Sequence, residues 1–150
     1  MKLSQSVTYA VQAALRLAEQ NASVPVSCGR LAQLGNMPER FLLQILRDLA
    51  KQGILQSSRG GGGGFMLERA PDEISLLDVI EAVDGPLSAG LPMNVGFSGE
   101  STARLRDVLC RVTRATREQL AAVKLTHLIA DGPARGQPAE APISHKTAPV

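Results

Sequence analysis

A run of five consecutive glycines, Gly60–Gly64, constrains the fold of this chain more than any other feature. Glycine is among the poorest helix formers and has no side chain with which to fill a core, so the run must lie in a loop. Two short segments flank it, Ile-Leu-Gln-Ser-Ser-Arg at residues 54–59 and Phe-Met-Leu-Glu at 65–68. We therefore predict two short strands joined by a glycine loop, which is a β-hairpin.

Three helical patterns precede the hairpin. The first helix is predicted over about residues 4–21, where apolar residues recur at steps of three and four. Ser27 is a suitable N-cap for a short second helix, which Gly35-Asn36 ends, and Pro38 and Gly53 bound a third helix over about 38–52. The apolar face predicted for the first helix consists of Val7, Val11, Ala14, Leu15 and Ala18.

Two further helical patterns follow the hairpin. Ser75 with Asp78 three residues later resembles a capping box, and it opens a fourth helix that ends before Gly85-Pro86. Residues 86–100 are rich in Gly, Pro and Ser and are predicted to form a connecting loop. Residues 101–130 are predicted as one long helix, about 45 Å at ~1.5 Å per residue. Residues 131–150 carry four prolines and little periodicity, and we predict a disordered tail.

The long helix predicts self-association. It overhangs a domain of about 85 residues, so much of its apolar stripe would face water unless a second chain covers it. The stripe contains Leu105, Val108, Leu109, Val112, Thr116, Leu120 and Val123. A homodimer is the simplest arrangement that buries it.

The composition excludes several classes of protein. Two Cys and two His are too few for a zinc or iron-sulfur site within one chain, and they make a disulfide framework not credible, which favours the cytoplasm. No signal peptide or transmembrane segment is found in the sequence. His127 and His145 have no partners at catalytic or metal spacing, and no Ser/His/Asp set can be assembled, so we predict that the chain is not an enzyme.

The third helix has the strongest functional pattern. Projected at ~100° per residue, one side is apolar and the other is basic with one central amide. The apolar side contains Phe41, Leu42, Ile45, Leu46 and Leu49; the basic side contains Arg40, Gln44, Arg47 and Lys51. Arg can bind guanine through two hydrogen bonds, Gln can bind adenine in the same way, and Lys neutralises phosphate. A solvated charged face is the alternative, but the position between a short helix and a hairpin favours DNA binding.

Charge along the chain agrees weakly with a polyanion partner, because residues 1–69 hold eight Lys/Arg against four Asp/Glu. The glycine run itself has two alternatives. A phosphate-binding loop would follow a strand and open a helix, whereas here a strand-like segment follows. A plain flexible turn remains open. We favour a wing tip, in which Gly60 and Gly62 bring backbone amides close to phosphate and Arg59 extends into the minor groove.

Three stretches of this sequence resemble the Rrf-two family of winged helix-turn-helix transcription regulators. They are MKLSQSVTYAVQAAL at residues 1–15, PERFLLQILRDLAKQGIL at 38–55 and SSRGGGGGFMLERAPDEISLLDVIEAVDGP at 57–86. The resemblance implies a homodimer with crossing long helices, bound to a pseudo-palindromic operator with one third helix in each half-site. It also implies that Gln44 and Arg59 occupy positions used for base or groove contact. Leu43 stands where the iron-sulfur regulator of the family has an acidic residue.

The sensor region departs from the family pattern. Cluster-bearing members have three cysteines between the fourth and the long helix, and residues 86–100 contain none, so we expect no iron-sulfur cluster and no other cofactor. Cys110 has Arg106 and Arg114 one turn away on either side and Arg117 two turns on, which would favour a thiolate and a redox response. The alternative is a small residue packed against the winged domain or a partner. Cys28 is interpreted as a small packing residue.

The predicted fold is mainly α: a winged helix-turn-helix domain over 1–85, a loop over 86–100, a dimerisation helix over 101–130 and a disordered tail. The predicted function is a homodimeric, sequence-specific, DNA-binding transcription repressor with an unknown effector or partner protein. Its DNA-binding residues are predicted to be Arg40, Gln44, Arg47, Lys51, Arg59, Gly60 and Gly62. The alternative is a winged-helix module that docks an enzyme or another regulator without specific DNA binding.

Overall fold

Residues 1–20, 24–90 and 99–129 are described by a computed structural model. The elements they form are α1 Gln5–Glu19, α2 Cys28–Gly35, α3 Glu39–Lys51, β1 Leu55–Ser58, β2 Gly64–Leu67, α4 Leu76–Asp84, α5 Glu100–Ala122 and a single 3-10 turn, Leu125–His127. This order of three helices, a hairpin and further helices confirms the mainly α, winged-helix fold class. Residues 91–98 of the predicted loop and the predicted tail at 131–150 lie outside the described residues.

Helix α1 begins where the sequence predicts, but it buries a different face. The Ser4 hydroxyl accepts a hydrogen bond from the Val7 amide at 3.1 Å, so Ser4 is the N-cap. Val11, Leu15 and Ala18 of the predicted face are only half-buried. The side chains that α1 does bury are Val7, Ala10, Ala13, Ala14 and Leu17. Three of these five are alanines, whose small side chains allow α1 to approach closely the helices it contacts, α3 and α4.

Helices α2 and α3 form a helix-turn-helix pair with defined caps. The Ser27 hydroxyl accepts from the Arg30 amide at 3.2 Å at the start of α2, as predicted. Asn36 ends α2 in the left-handed conformation, with φ 50°, which Asn tolerates better than most residues. Pro38 is the N-cap of α3, and Gly53, with φ 69°, follows its end. The short turn between the helices therefore rests on residues whose backbone preferences are local.

The hairpin is antiparallel, and its register pairs Leu55 with Leu67 and Ser58 with Gly64. Gly64 therefore belongs to β2 and not to the predicted glycine loop. A third segment joins it: the backbone of Val26 exchanges two hydrogen bonds with Phe65, at 2.9 and 2.8 Å. Because Val26 directly precedes the cap of α2, this bridge ties the hairpin to the helix-turn-helix pair. The sequence predicts extended backbone at 24–26 but gives no sign of its partner.

Helix α5 ends at Ala122, so the prediction of a single helix to residue 130 is wrong. The chain becomes extended at Val123, whose carbonyl accepts from the Leu76 amide at 2.8 Å. The Leu125 amide then donates to the Ile74 carbonyl at 3.0 Å, and the Leu125 side chain is fully buried in the main core. The free energy gained by burying Leu125 and pairing two backbone groups exceeds what further helical turns would contribute.

The core of the described residues has two clusters. The larger one joins α1, α2, α3, the hairpin and Leu125; the smaller one contains Val7, Leu77, Ile80 and Leu120 and so joins the carboxyl end of α5 to α1 and α4. Arg117 strengthens this junction through an ion pair with Glu81 and a hydrogen bond to the Leu87 carbonyl at 3.3 Å. No helix in the described stretches combines the length and apolarity that a membrane span needs.

Candidate nucleic-acid interface

Helix α3 separates its two faces as the sequence predicts, with one exception. Its buried side chains are Leu42, Ile45, Leu46 and Leu49. The predicted contact residues Arg40, Gln44, Arg47 and Lys51 are all exposed on the other side. Leu43 is half-buried and packs at the edge of the main core. The helix thus holds one face in the core and presents a polar, cationic face to solvent, and we call the four exposed residues the α3 polar face.

Phe41 is the exception, since the prediction that it lies on the core side is wrong. Its side chain is 44% exposed and packs edge-to-face on Tyr9 of α1, with ring centroids 5.9 Å apart and an interplanar angle of 79°. The Tyr9 hydroxyl in turn accepts a hydrogen bond from Gln5 Nε2 at 2.9 Å. At ~100° per residue Phe41 lies on the border between the two faces. Its ring packs against Tyr9 of α1 and not in the core.

A carboxylate that sequence reasoning missed lies beside the α3 polar face. Asp48 Oδ1 accepts a hydrogen bond from Gln44 Nε2 at 3.1 Å and lies 3.6 Å from Lys51 Nζ. The signal was available, because Asp48 is four residues after Gln44 and three before Lys51, which are the spacings that bring helix side chains together.

The wing tip consists of residues 59–63. Arg59 is exposed, and a turn closes through a hydrogen bond from the Gly63 amide to the Gly60 carbonyl at 2.9 Å. Gly60 has φ 117°, and a Cβ at Gly64 would lie 2.4 Å from the Val26 carbonyl, so both positions need glycine to fold. A Cβ at Gly61 or Gly62 would have nothing within 4 Å. The fold itself therefore does not explain the glycine at these two positions.

The two cysteines have different surroundings. Cys28 is half-buried, its thiol donates to the Glu39 carbonyl at 3.6 Å, and burial together with the Glu39 carboxylate raises the pKa of that thiol. Cys110 is exposed on α5, as are Arg106 and Arg114. Arg117 instead points to Glu81, so it does not belong to the Cys110 environment. The redox role suggested for Cys110 stays a prediction.

These features define the class of protein. A helix-turn-helix pair, a second helix with a cationic solvent face and an anchored hairpin wing are the parts of a winged helix-turn-helix DNA-binding regulator. The family model described as "Rrf2: Iron-dependent Transcriptional regulator" matches residues 3–131. The chain belongs to this Rrf2 family, which confirms the resemblance seen in the sequence.

Known relatives agree with this assignment. The chain is 34% identical to the HTH-type transcriptional regulator Rv1287 of Mycobacterium tuberculosis, over 87% of this chain and 80% of that one. It is 32% identical to the HTH-type transcriptional regulator CymR of Bacillus subtilis, over 85% of this chain and 89% of that one. The family and these relatives are transcriptional regulators and not enzymes.

Solved structures agree as well. The structure of the B. subtilis CymR, called the global cysteine regulator, superposes with a TM-score of 0.69 and 30% identity, covering 85% of this chain and 95% of that one. The oxidized form of Staphylococcus aureus CymR superposes with a TM-score of 0.66 and 25% identity, covering 87% of this chain and 97% of that one. The architecture of the described residues is therefore that of the family.

The family description names iron, but the residues that the structure describes do not fit an iron site. Within residues 1–20, 24–90 and 99–129, no group of three or more His, Cys, Asp or Glu could hold a metal ion. Iron-sulfur clusters are held by several thiolates, and the whole chain has two cysteines. One of them, Cys28, has a raised thiol pKa, which favours the protonated form that binds metal poorly.

Proposed function

We propose that this protein is a homodimeric, sequence-specific transcription repressor that binds a pseudo-palindromic operator. In this proposal α3 of each protomer enters the major groove, and residues 59–65 of each wing contact the adjacent minor groove. Because the ligand is chromosomal DNA, the protein acts in the cytoplasm. One observation carries the proposal: the α3 polar face is exposed on a helix whose opposite side is buried in the core of a winged helix-turn-helix domain.

The chemistry of that face supports base reading. Arg40 and Arg47 carry guanidinium groups that can bind guanine through two hydrogen bonds, and Gln44 carries the amide that can do the same with adenine. Lys51, at the end of the helix with its side chain 71% exposed, suits phosphate contact.

The wing supports a second contact with the duplex. Arg59 is exposed directly before the turn, and narrow minor grooves attract arginine because their electrostatic potential is strongly negative. The exposed turn residues Gly60–Gly62 leave backbone amides accessible to a phosphate. The Val26–Phe65 bridge holds this tip in a defined place relative to α2.

The homodimer is supported by the part of α5 that the core does not cover. Leu105, Val108 and Val112 are 46%, 44% and 57% exposed, whereas Leu120 at the other end of the same stripe is buried against α1 and α4. Three large aliphatic side chains on one stripe of a long helix are a surface that water disfavours and a second copy would cover. Division of the chain into a DNA-binding domain, a connecting loop and a dimerisation helix follows from the same proposal.

We propose that the protein senses its controlling signal without an iron-sulfur cluster, because the chain has too few cysteines to hold one. An unidentified effector, a partner protein or oxidation of Cys110 are the alternatives. Protein purified without oxygen should be colourless, and a cluster absorption band in the visible spectrum would contradict this part of the proposal.

The main test is selection of duplexes from genomic fragments with the purified full chain, reduced and oxidised in parallel, with C110S as the thiol control. We expect an enriched pseudo-palindrome whose affinity falls steeply with salt. Gln44→Ala and Arg59→Ala should each weaken operator binding by about 1–3 kcal/mol. Gln12→Ala and Arg16→Ala remove the same side-chain types from exposed positions on α1 and should have little effect.

Two other results would contradict this proposal. No enriched sequence, together with a stable co-purifying protein, would replace this function by the protein-docking module. An in vitro transcription assay with the selected operator tests the sign of regulation: added protein should lower the transcript, and a rise would make the protein an activator.

A further inference from the structure

A negative charge beside a DNA-reading surface needs an explanation, because it repels the phosphates that the neighbouring cations attract. Asp48 is such a charge. Its side chain is 31% exposed, it is the hydrogen-bond acceptor for Gln44 Nε2 at 3.1 Å, and its same oxygen, Oδ1, lies 3.6 Å from Lys51 Nζ. One carboxylate oxygen thus holds two of the four residues of the α3 polar face.

The first consequence concerns the orientation of the Gln44 amide. An ionised carboxylate only accepts hydrogen bonds, so it can bind the nitrogen end of a glutamine amide and not the oxygen end. The contact is charge-assisted and therefore stronger than one between neutral groups. With Nε2 held by Asp48, Gln44 retains Oε1 as an acceptor and one N–H as a donor for other partners.

The second consequence concerns which base this amide can read. Adenine offers one donor, N6–H, and one acceptor, N7, in the major groove, which matches what Gln44 retains. Guanine offers two acceptors, O6 and N7, and would need both amide N–H groups, one of which Asp48 already uses. An amide free to rotate would discriminate less between these bases.

The third consequence concerns Lys51. Its ammonium lies near a carboxylate, so part of its charge is compensated before any DNA arrives. A cation of this kind contributes less to sequence-independent attraction than a free one does. Asp48 therefore lowers the affinity for DNA of any sequence and increases base discrimination at one position.

We propose that Asp48 is a positioning residue for specificity: it orients Gln44 toward adenine in each half-site and restrains Lys51 from non-specific binding. This inference rests on the proposed function, since it assumes that α3 reads DNA. Asp48 itself needs no contact with the operator to have this effect.

Two substitutions separate the two effects. Asp48→Ala removes both the acceptor and the charge, whereas Asp48→Asn removes the charge and keeps an oxygen acceptor of the same shape. Affinities are measured for the selected operator and for variants of it in which the base pair read by Gln44 is changed. That base pair is identified as the one at which Gln44→Ala loses discrimination.

We expect D48A to reduce adenine-over-guanine discrimination at that base pair by about 5-fold or more, since a good two-bond contact is worth at least that ratio. D48N should retain only part of it, because an asparagine amide can accept from Gln44 Nε2 or donate to Oε1 and no longer fixes one orientation. Both variants should bind unrelated DNA more tightly, and the slope of log affinity against log salt should steepen by about 0.9 for each freed lysine. In a Q44A background, D48A should cause no further loss of discrimination.

The matched control is Glu19→Gln on α1. Glu19 pairs with Arg16 at the same i,i+3 spacing and the same 3.6 Å distance, and its substitution changes the net charge by the same amount. E19Q should leave discrimination and salt slope unchanged. Circular dichroism melts of all variants show whether each is folded.

Discrimination by D48A equal to that of the parent, with Q44A still defective, would overturn the inference and leave the proposed function intact. A parent protein that selects no operator would overturn the proposed function instead. A salt slope that steepens equally in E19Q would show that net charge alone is responsible, and it would remove the role assigned to Lys51.

Discussion

At the scale of single residues, the wing glycines fall into two groups. Gly60 needs glycine for its positive φ, and Gly63 and Gly64 need it because a Cβ would lie within 3.0 Å of backbone atoms. Gly61 and Gly62 face open space, and neither has a positive φ of the kind that strains an L side chain. A requirement at Gly62 would therefore have to come from outside the described residues, and close approach to a DNA backbone would supply one.

This difference leads to a prediction with two variants. Gly62→Ala should change the free energy of unfolding by no more than about 0.5 kcal/mol, because the methyl group meets nothing. Gly64→Ala should destabilise by about 1–3 kcal/mol, because the methyl group would break the Val26–Phe65 bridge. Urea denaturation measures both.

The affinity for the operator is a second measurement that distinguishes the two glycine variants. Gly62→Ala should weaken operator affinity although its stability is normal. Normal affinity in this variant would mean that Gly62 is part of a plain turn and does not approach phosphate.

The sequence predicts the exposure of a side chain correctly where that exposure has a local cause. The exposure of Arg40 and Gln44 follows from helical periodicity alone. Asp48 could also have been recognised, since its spacings to Gln44 and Lys51 are visible in the sequence. The outward position of Phe41 could not, because it depends on Tyr9, which is 32 residues away in the chain.

At the scale of elements, the starts of α2 and α4 are the best-determined features. Ser27 and Ser75 cap α2 and α4 as their sequence positions indicate, whereas Ser4 caps α1 although the sequence pattern placed it inside the first helix. The capping box of α4 is complete: the Ser75 hydroxyl accepts from the Asp78 amide at 3.0 Å, and the Asp78 carboxylate accepts from the Ser75 amide at 2.9 Å. Ser75 is also the buried end at which α4 meets the strand-like segment after α5.

Ser75→Ala should therefore destabilise the protein by about 1–2 kcal/mol, since a buried cap is lost and the Asp78 amide loses its partner. Thermal and urea denaturation followed by circular dichroism measure this. Ser57→Ala, an exposed position on β1, is the control and should stay within about 0.5 kcal/mol of the parent. Equal stability of the two variants would show that the α4 cap contributes nothing measurable.

At the scale of the whole molecule, the carboxyl end of α5 is anchored to the winged-helix core. Leu120 and Arg117 hold its carboxyl end to α1 and α4, and Leu125 holds the chain that follows. The exposed Val108 and Val112 lie nearer the amino end of the helix, in the part that the proposed second copy covers. Dimerisation and operator binding should therefore fail together.

Val108→Asn with Val112→Asn should weaken dimerisation by tenfold or more, because a buried valine contributes about 1.5 kcal/mol or more and each substitution occurs twice in a symmetric dimer. Sedimentation velocity over a concentration series measures this, and operator affinity should fall in parallel. Ala103→Asn, exposed on the opposite side of α5 at ~100° per residue, should leave both unchanged. A double variant that remains dimeric would place the interface elsewhere.

The amino-acid sequence by itself determined the order of elements, the caps of α2 and α4, the glycine wing and the α3 polar face. These depend on backbone preferences and on neighbours three or four residues away, and such interactions are present in the chain before it folds. The tertiary structure alone decided which face α1 buries, where α5 ends and that Val26 pairs with Phe65. Each of these depends on residues distant in the chain competing for the same space and the same backbone hydrogen bonds, and that competition is settled only when the elements pack.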